Sequence, residues 1–350
     1  MTRAAHRQCT KPLRQCGRAA GLVLLLSGPL HAQQPPPPII DMHLHAMPLA
    51  AFSGMGGPPP IPHCVPMTDY PVPESGRRWP EIFRSRDLPC RATWSPRTDE
   101  EVMRQTLAIM ERRNVVGVTS GPLVARYEEA AADRVIPSLS FGGGPNPPTV
   151  DSVRRAIEDG GFTVLGEVAV QYGGMTPDDP SLAPYWALAE ELDIPVGIHI
   201  GTGPVGAPYL PFKRYRARLH SPLVLEEVLV RHPGLRVYIM HAGWPMLDDL
   251  LAVLWTHPHV YVDLGVIDWA LPRAEFHRYL RRIVEAGFGK RVLFGSDQMI
   301  WPETLEMAIE NVESADFLTA EQKRDIFFDN AARFLRLSPQ QVAAMRGKAH

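Results

Sequence analysis

Eight short runs rich in Val, Ile and Leu recur between residues 39 and 297, separated by stretches of helical periodicity. This alternation restricts the fold more than any other feature of the chain. The runs span 39–45, 115–119, 135–139, 163–168, 195–200, 235–241, 260–264 and 292–297. Helical patterns cover 98–113, 149–159, 181–193, 221–232, 246–256, 272–286 and 302–312, with one more at 319–335. Thr98-x-x-Glu101 is a capping box, and Ser221-Pro222 places an N-cap before a proline in the first turn. Strands that are apolar almost throughout have both faces covered, as in a parallel sheet wrapped by helices. Eight β–α units in about 300 residues predict a (β/α)8 barrel. A doubly wound open sheet is the alternative, but no GxGxxG follows the first strand.

The two ends of the chain read differently from this middle. Residues 1–32 carry five basic groups (Arg3, Arg7, Lys11, Arg14, Arg18) and no acid, followed by an apolar run from Ala19 to Leu26 and then Leu30-His31-Ala32. A positive start, a short apolar core and a small residue before a polar stretch predict a secretory signal peptide cleaved after Ala32. The apolar run falls short of the roughly 20 residues that span a bilayer. The expectation is therefore an exported protein, periplasmic or secreted, with no stable membrane insertion after cleavage. The formal charge of −2 becomes −7 once the leader is removed, since 36 basic groups drop to 31 against 38 acidic ones. That balance argues against a nucleic-acid partner and leaves a small-molecule substrate, with a homo-oligomer still open. At the other end, 338–350 is expected to be a C-terminal tail.

Residues 33–98 hold 15 of the 36 prolines. They divide into a linker (33–38), the first strand and a long Pro/Gly-rich loop (46–97), expected to lack regular structure and to cap a site. Cys9 and Cys16 leave with the leader. Cys64 and Cys90 remain as a disulfide candidate in an oxidising compartment, two free thiols being the alternative. No CxxC is present, so cysteine metal sites are unsupported.

In a barrel, the C-terminal strand ends face the active site. Here they read Asp41-Met42-His43-Leu44-His45, Gly166-Glu167, Ile198-His199, Met240-His241-Ala242-Gly243 and Gly295-Ser296-Asp297. Strand side chains alternate with period two, so His43 and His45 project to the same side. Imidazole is a common ligand for divalent metals, and four His with one or two carboxylates at five strand ends point to a shared metal site.

These residues resemble the amidohydrolase superfamily, and within it the branch called amidohydrolase 2, or amidohydrolase-related. The resemblance covers about 39–337 and rests on Ile-Asp-Met-His-Leu-His, His-Ala-Gly-Trp, Phe-Gly-Ser-Asp and the closing Phe328-Asp329-Asn330-Ala331-Ala332-Arg333. It implies a (β/α)8 TIM barrel of the metal-dependent hydrolase type. It also implies metal or catalytic positions at His43, His45, His199, His241 and Asp297. Relatives with two metals carry a carboxylated Lys or a Glu on the fourth strand. This chain has no Lys between 11 and 213, which excludes the carboxylated Lys, and Gly166-Glu167 fits the Glu form, an ordinary strand-end carboxylate being the alternative. In a mononuclear arrangement His43, His45, His199 and Asp297 hold one ion and His241 polarises the substrate oxygen. In a binuclear one Glu167 bridges and His199 and His241 bind the second ion. The expected cofactor is one or two divalent ions, zinc first, with Mn, Fe or Co as alternatives.

Such an ion acidifies water, and Asp297 is placed to take the nucleophile's proton and pass it to the leaving group. His241 or a metal stabilises the developing oxyanion. The expected activity is hydrolysis of an amide or lactone in a small organic substrate. A metal-dependent decarboxylase of an aromatic or unsaturated acid is the alternative, and a non-catalytic metal-binding barrel the non-enzymatic one. Tyr172, Trp244 and Trp301 follow strand ends and are expected to contact substrate. The basic run Lys213, Arg214, Arg216 and Arg218 reads either as a solvated surface or, with Arg214 the candidate, as a site for a substrate carboxylate or phosphate.

Overall fold

A computed structural model describes residues 36–67, 90–142, 146–210 and 212–347. The expected leader lies outside them. Eight parallel strands form the barrel: β1 (Ile39–His45), β4 (Val115–Ser120), β5 (Val135–Gly142), β6 (Val164–Ala169), β7 (Val196–His199), β8 (Val237–Met240), β9 (Tyr261–Asp263) and β10 (Val292–Leu293), paired in that order. The seam between the last and first strands is closed by Met42 N–H to Phe294 O at 2.9 Å and His45 N–H to Gln298 O at 2.9 Å. The fold is the (β/α)8 barrel that the strand count predicts.

Two apolar layers hold it together. Tyr238 on β8 reaches across to donate its hydroxyl to the Met42 carbonyl of β1 at 3.2 Å, so Met42, Val118, Tyr238 and Met240 fill the barrel interior. Gly197 on β7 makes room for that ring, since a Cβ there would lie 2.4 Å from Tyr238 Cζ. The outer layer packs Val115, Trp186, Leu250, Phe276 and Leu305 between strands and helices. Thr98 and Glu101 form the expected capping box on the helix Asp99–Arg112.

Four segments depart from the sequence reading. A helix at Val124–Ala131 fills the second β–α unit, where two turns of helix were too short for periodicity to reveal. The pattern at 319–335 is helical but interrupted by a π turn at Asp325–Asp329. The expected tail contains a helix, Pro339–Arg346, opened by the Ser338–Gln341 capping box and seated on the barrel through Val342 and Met345. The described part of the loop after β1 has regular structure as well. It carries the helix Ala50–Gly56 and an antiparallel hairpin of β2 (Pro62–Cys64) and β3 (Ala92–Trp94). Cys64 and Cys90 are disulfide-bonded beside that hairpin, with Cα atoms 5.6 Å apart.

Candidate metal centre

The six polar residues that end the strands converge. His43 Nε2 and His45 Nε2 lie 3.1 Å apart. Behind them, His43 Nδ1 is 3.2 Å from Asp263 Oδ2 and His45 Nδ1 is 3.0 Å from Ser120 Oγ. His241 Nδ1 is 2.9 Å from the Gly265 carbonyl, which only accepts, so Nδ1 carries the proton and Nε2 the lone pair. That Nε2 lies 2.8 Å from His199 Nδ1. Asp297 Oδ1 is 3.1 Å from His45 Nε2 and 3.5 Å from His43 Nε2. Glu167 lies between the two histidine pairs. Its Oε2 is 3.6 Å from His45 Nε2 and 3.9 Å from His43 Nε2, while Oε1 is 3.5 Å from His241 Nε2 and touches His199 Nδ1.

This donor set fits divalent cations. His43 Nε2 and His45 Nε2 at 3.1 Å are close enough to share one cation between their lone pairs. Ligand atoms at ~2.1 Å from one ion stand roughly 3 to 3.4 Å from each other, which matches His43 to His45 and His45 to Asp297, both at 3.1 Å. Two triads have their ligand atoms within 4.8 Å of one another: His43, His45 and Asp297, and His43, Glu167 and His241. All are N and O donors, a mixture that suits zinc, manganese, iron or cobalt. Burial works against charge on Glu167, but His199, His241 and His43 outweigh it and hold the carboxyl well below its usual range. Burial opposes ionisation of Asp297 too, and His43 and His45 overcome it. The centre thus presents two carboxylates among four histidines.

Buried acids behind the ligands orient them. Asp263, wholly buried at the end of β9, accepts from the backbone N–H of His241 and of Gly265, both at 2.9 Å, while its other oxygen faces His43. Asp41 accepts from His43 N–H and Ser296 N–H, both at 2.9 Å, and from Ser296 Oγ–H at 2.5 Å. Burial pushes its carboxyl up to about 6 against those donors. The backbone is bent around the same point: His241, Val266 and Asp297 have φ of 61°, 61° and 50°. Left-handed non-glycine residues cost on the order of 1–3 kcal/mol each and collect where geometry is functional. Sequence reading passed over Asp263, although an acid ending the apolar run Val260-Tyr261-Val262 is the same signal that marked Asp297.

A cavity of about 700 Å3 opens over the ligands. His45, Glu167, His199, His241 and Asp297 line it, with Tyr172, Trp244 and Trp301 as expected, and Phe212, Tyr215, Val266 and the hairpin's His63 beside them. Tyr172 packs on His199 with ring centroids 4.9 Å apart. Arg214 does not join them. It is exposed, and its stem packs on Gly174, where a Cβ would sit 2.8 Å from Arg214 Cβ. In this segment the aromatics Phe212 and Tyr215 turn into the cavity, leaving Lys213, Arg214, Arg216 and Arg218 on the solvent side. No Lys or Arg lines the cavity among the described residues.

Comparison with known proteins agrees with this geometry. The sequence model of a family described as Amidohydrolase matches residues 40–337. The gamma-resorcylate decarboxylase of Rhodococcus jostii is 26% identical over 227 residues, which cover 53% of this chain and 66% of that one. The chain spans less than two thirds of the length of the curated relatives it matches. Among solved structures, a 2,6-dihydroxybenzoate decarboxylase complexed with 2,6-dihydroxybenzoate superposes with a TM-score of 0.51 at 16% identity, covering 87% of this chain and 100% of that one. A probable 2-pyrone-4,6-dicarboxylic acid hydrolase from Acinetobacter baumannii gives 0.51 at 14% identity, covering 85% and 99%. At those identities the two structures speak for the fold alone.

Proposed function

The chain belongs to the amidohydrolase family, and on that premise we propose that it is a metal-dependent hydrolase of amide or lactone bonds in a small, largely apolar substrate. The observation that carries this is the placement of Glu167, one carboxylate oxygen toward each histidine pair. That is the arrangement a carboxylate bridging two cations requires. His241 supports the same reading. Its Nδ1 proton is committed to the Gly265 carbonyl, which leaves Nε2 as the atom that would face a cation. In this reading His43, His45 and Asp297 would hold one ion and His199 and His241 the other, with Glu167 able to serve both.

Divalent cations held by these residues would supply Lewis acidity at the substrate oxygen and lower the pKa of water. The protein's own residues do the rest. Asp297, at the cavity floor, accepts the proton of the attacking water and returns it to the departing nitrogen or oxygen as the C–N or C–O bond breaks. Water adds its oxygen to the acyl carbon, and no covalent enzyme intermediate is needed. Tyr172, Trp244 and Trp301 enclose the substrate and limit access of bulk water. The expected leader assigns this chemistry to an exported enzyme.

Decarboxylation is the second reading, favoured by the similarity to gamma-resorcylate decarboxylase. The metal-reconstituted protein screened in 18O-water against lactones, amides, aryl esters and carboxylic acids separates the two. 18O in the product supports hydrolysis, whereas CO2 release without 18O selects decarboxylation. Turnover of nothing in the panel with metal bound would favour the non-catalytic barrel.

A further inference from the structure

We propose that His63, presented over the cavity by the cap hairpin, contacts substrate directly, accepting a hydrogen bond from a donor group on the part of the substrate that lies against the hairpin. This rests on the metal-centre reading above, which fixes which end of the substrate is anchored.

The geometry is specific to one ring nitrogen. His63 Nδ1 lies 2.8 Å from the Cys64 carbonyl, which cannot donate, so the proton sits on Nδ1 and Nε2 is an acceptor. The ring is clamped edge-on between Trp301, at 4.7 Å between centroids, and Trp269, at 5.1 Å. Both indoles are themselves fixed: Trp301 Nε1–H donates to Ile61 O at 2.8 Å and Trp269 Nε1–H to Ser296 O at 2.6 Å. The hairpin is pinned twice, by the Cys64–Cys90 disulfide and by Thr93 Oγ1, which donates to Glu303 at 3.0 Å. A rigidly held imidazole on a cavity wall gives directional recognition, because its geometry costs the substrate little to meet.

The rest of the upper wall strengthens the assignment. Trp244 and Trp301, which also line the cavity, have already given their indole protons to Glu275 and Ile61, so neither offers a substrate a free donor. Burial keeps the His63 ring below the ordinary imidazole range against the pull of the Cys64 carbonyl and Asp297, which maintains the neutral form with its lone pair. The selected substrate is therefore one with a hydroxyl or N–H on the part that meets the hairpin. A neutral analogue lacking that donor fits the same cavity with an acceptor left unpaired.

The test uses benzohydroxamic acids, whose hydroxamate anchors on the metals. They carry hydroxymethyl or methoxymethyl at the meta or para position and are titrated calorimetrically into the metal-loaded full chain. At least one hydroxymethyl isomer is expected to bind about tenfold more tightly than its methoxymethyl partner, equivalent to about 1.4 kcal/mol. His63→Phe keeps the ring packing and removes the acceptor, and is expected to abolish that preference without changing metal content. His63→Gln restores an acceptor and is expected to recover part of it, which a purely structural ring would not produce. Hydroxamate binding with no preference, or a preference that survives in His63→Phe, overturns the assignment. Failure of every hydroxamate to bind overturns the metal-centre reading itself, and this inference with it.

Discussion

Asp263→Asn probes how the metal centre is organised without touching a proposed ligand. Asp263 is wholly buried, and one of its oxygens accepts the backbone N–H groups of His241 and Gly265, both at 2.9 Å, while the other lies 3.2 Å from His43 Nδ1. An Asn has one oxygen for those three donors. If its oxygen faces the backbone, its NH2 opposes His43 Nδ1–H, and the imidazole relieves the conflict by moving its proton to Nε2, which withdraws the lone pair from the metal. If the amide is turned over, its NH2 opposes two backbone donors instead. Loss of an outer partner of this kind typically lowers metal affinity by about 10- to 100-fold, equivalent to roughly 1.4–2.7 kcal/mol. A buried donor left unpaired adds a cost of about 1–3 kcal/mol to the fold itself. The assay is competitive titration with a chromophoric chelator, with circular dichroism checking that the variant is folded. Metal affinity within twofold of the wild type in a folded Asp263→Asn would refute the argument that Asp263 sets the His43 tautomer.

Three further outcomes are expected. Asp297→Asn should retain the fold by circular dichroism and lose turnover by a factor of about 10^2–10^4, the usual share of a positioned acid–base group, in a steady-state assay on whichever substrate the panel identifies. The disulfide spans a sequence separation of 26 residues, and the chain-entropy treatment values such a closure at about 3 kcal/mol. Cys64→Ser should therefore lower the midpoint of thermal unfolding and weaken substrate binding, read by calorimetry and by KM. Arg214→Ala should leave kcat/KM within about twofold, since its side chain is exposed and outside the cavity.

Much of the barrel was legible because its signals are local. Capping at Thr98 and the continuous apolar runs with polar ends depend on residues near one another in sequence, and the ligand positions followed from alternation along β1 and from the strand ends. What escaped the sequence depended on contacts between distant segments. The hairpin at 62–64 and 92–94 is stabilised by pairing and a disulfide across the proline-rich stretch, which offers no periodicity to read. His63 is unremarkable in sequence and acquires meaning only between Trp269 and Trp301. Arg214 misled in the opposite sense: charge in a loop after β7 suggested anion binding, but its neighbours Phe212 and Tyr215 take the inward positions. The apolar runs that identified strands also hid Asp263, whose role depends on β8 and β1 meeting it from either side.

A binuclear centre would require Glu167 to serve both cations. Native mass spectrometry of the active, metal-loaded chain, beside Glu167→Gln, tests it most directly. Two ions per chain in the wild type, falling to one or none in the folded variant together with activity, is the predicted result. One ion per chain in a fully active enzyme, unchanged by Glu167→Gln, would contradict it.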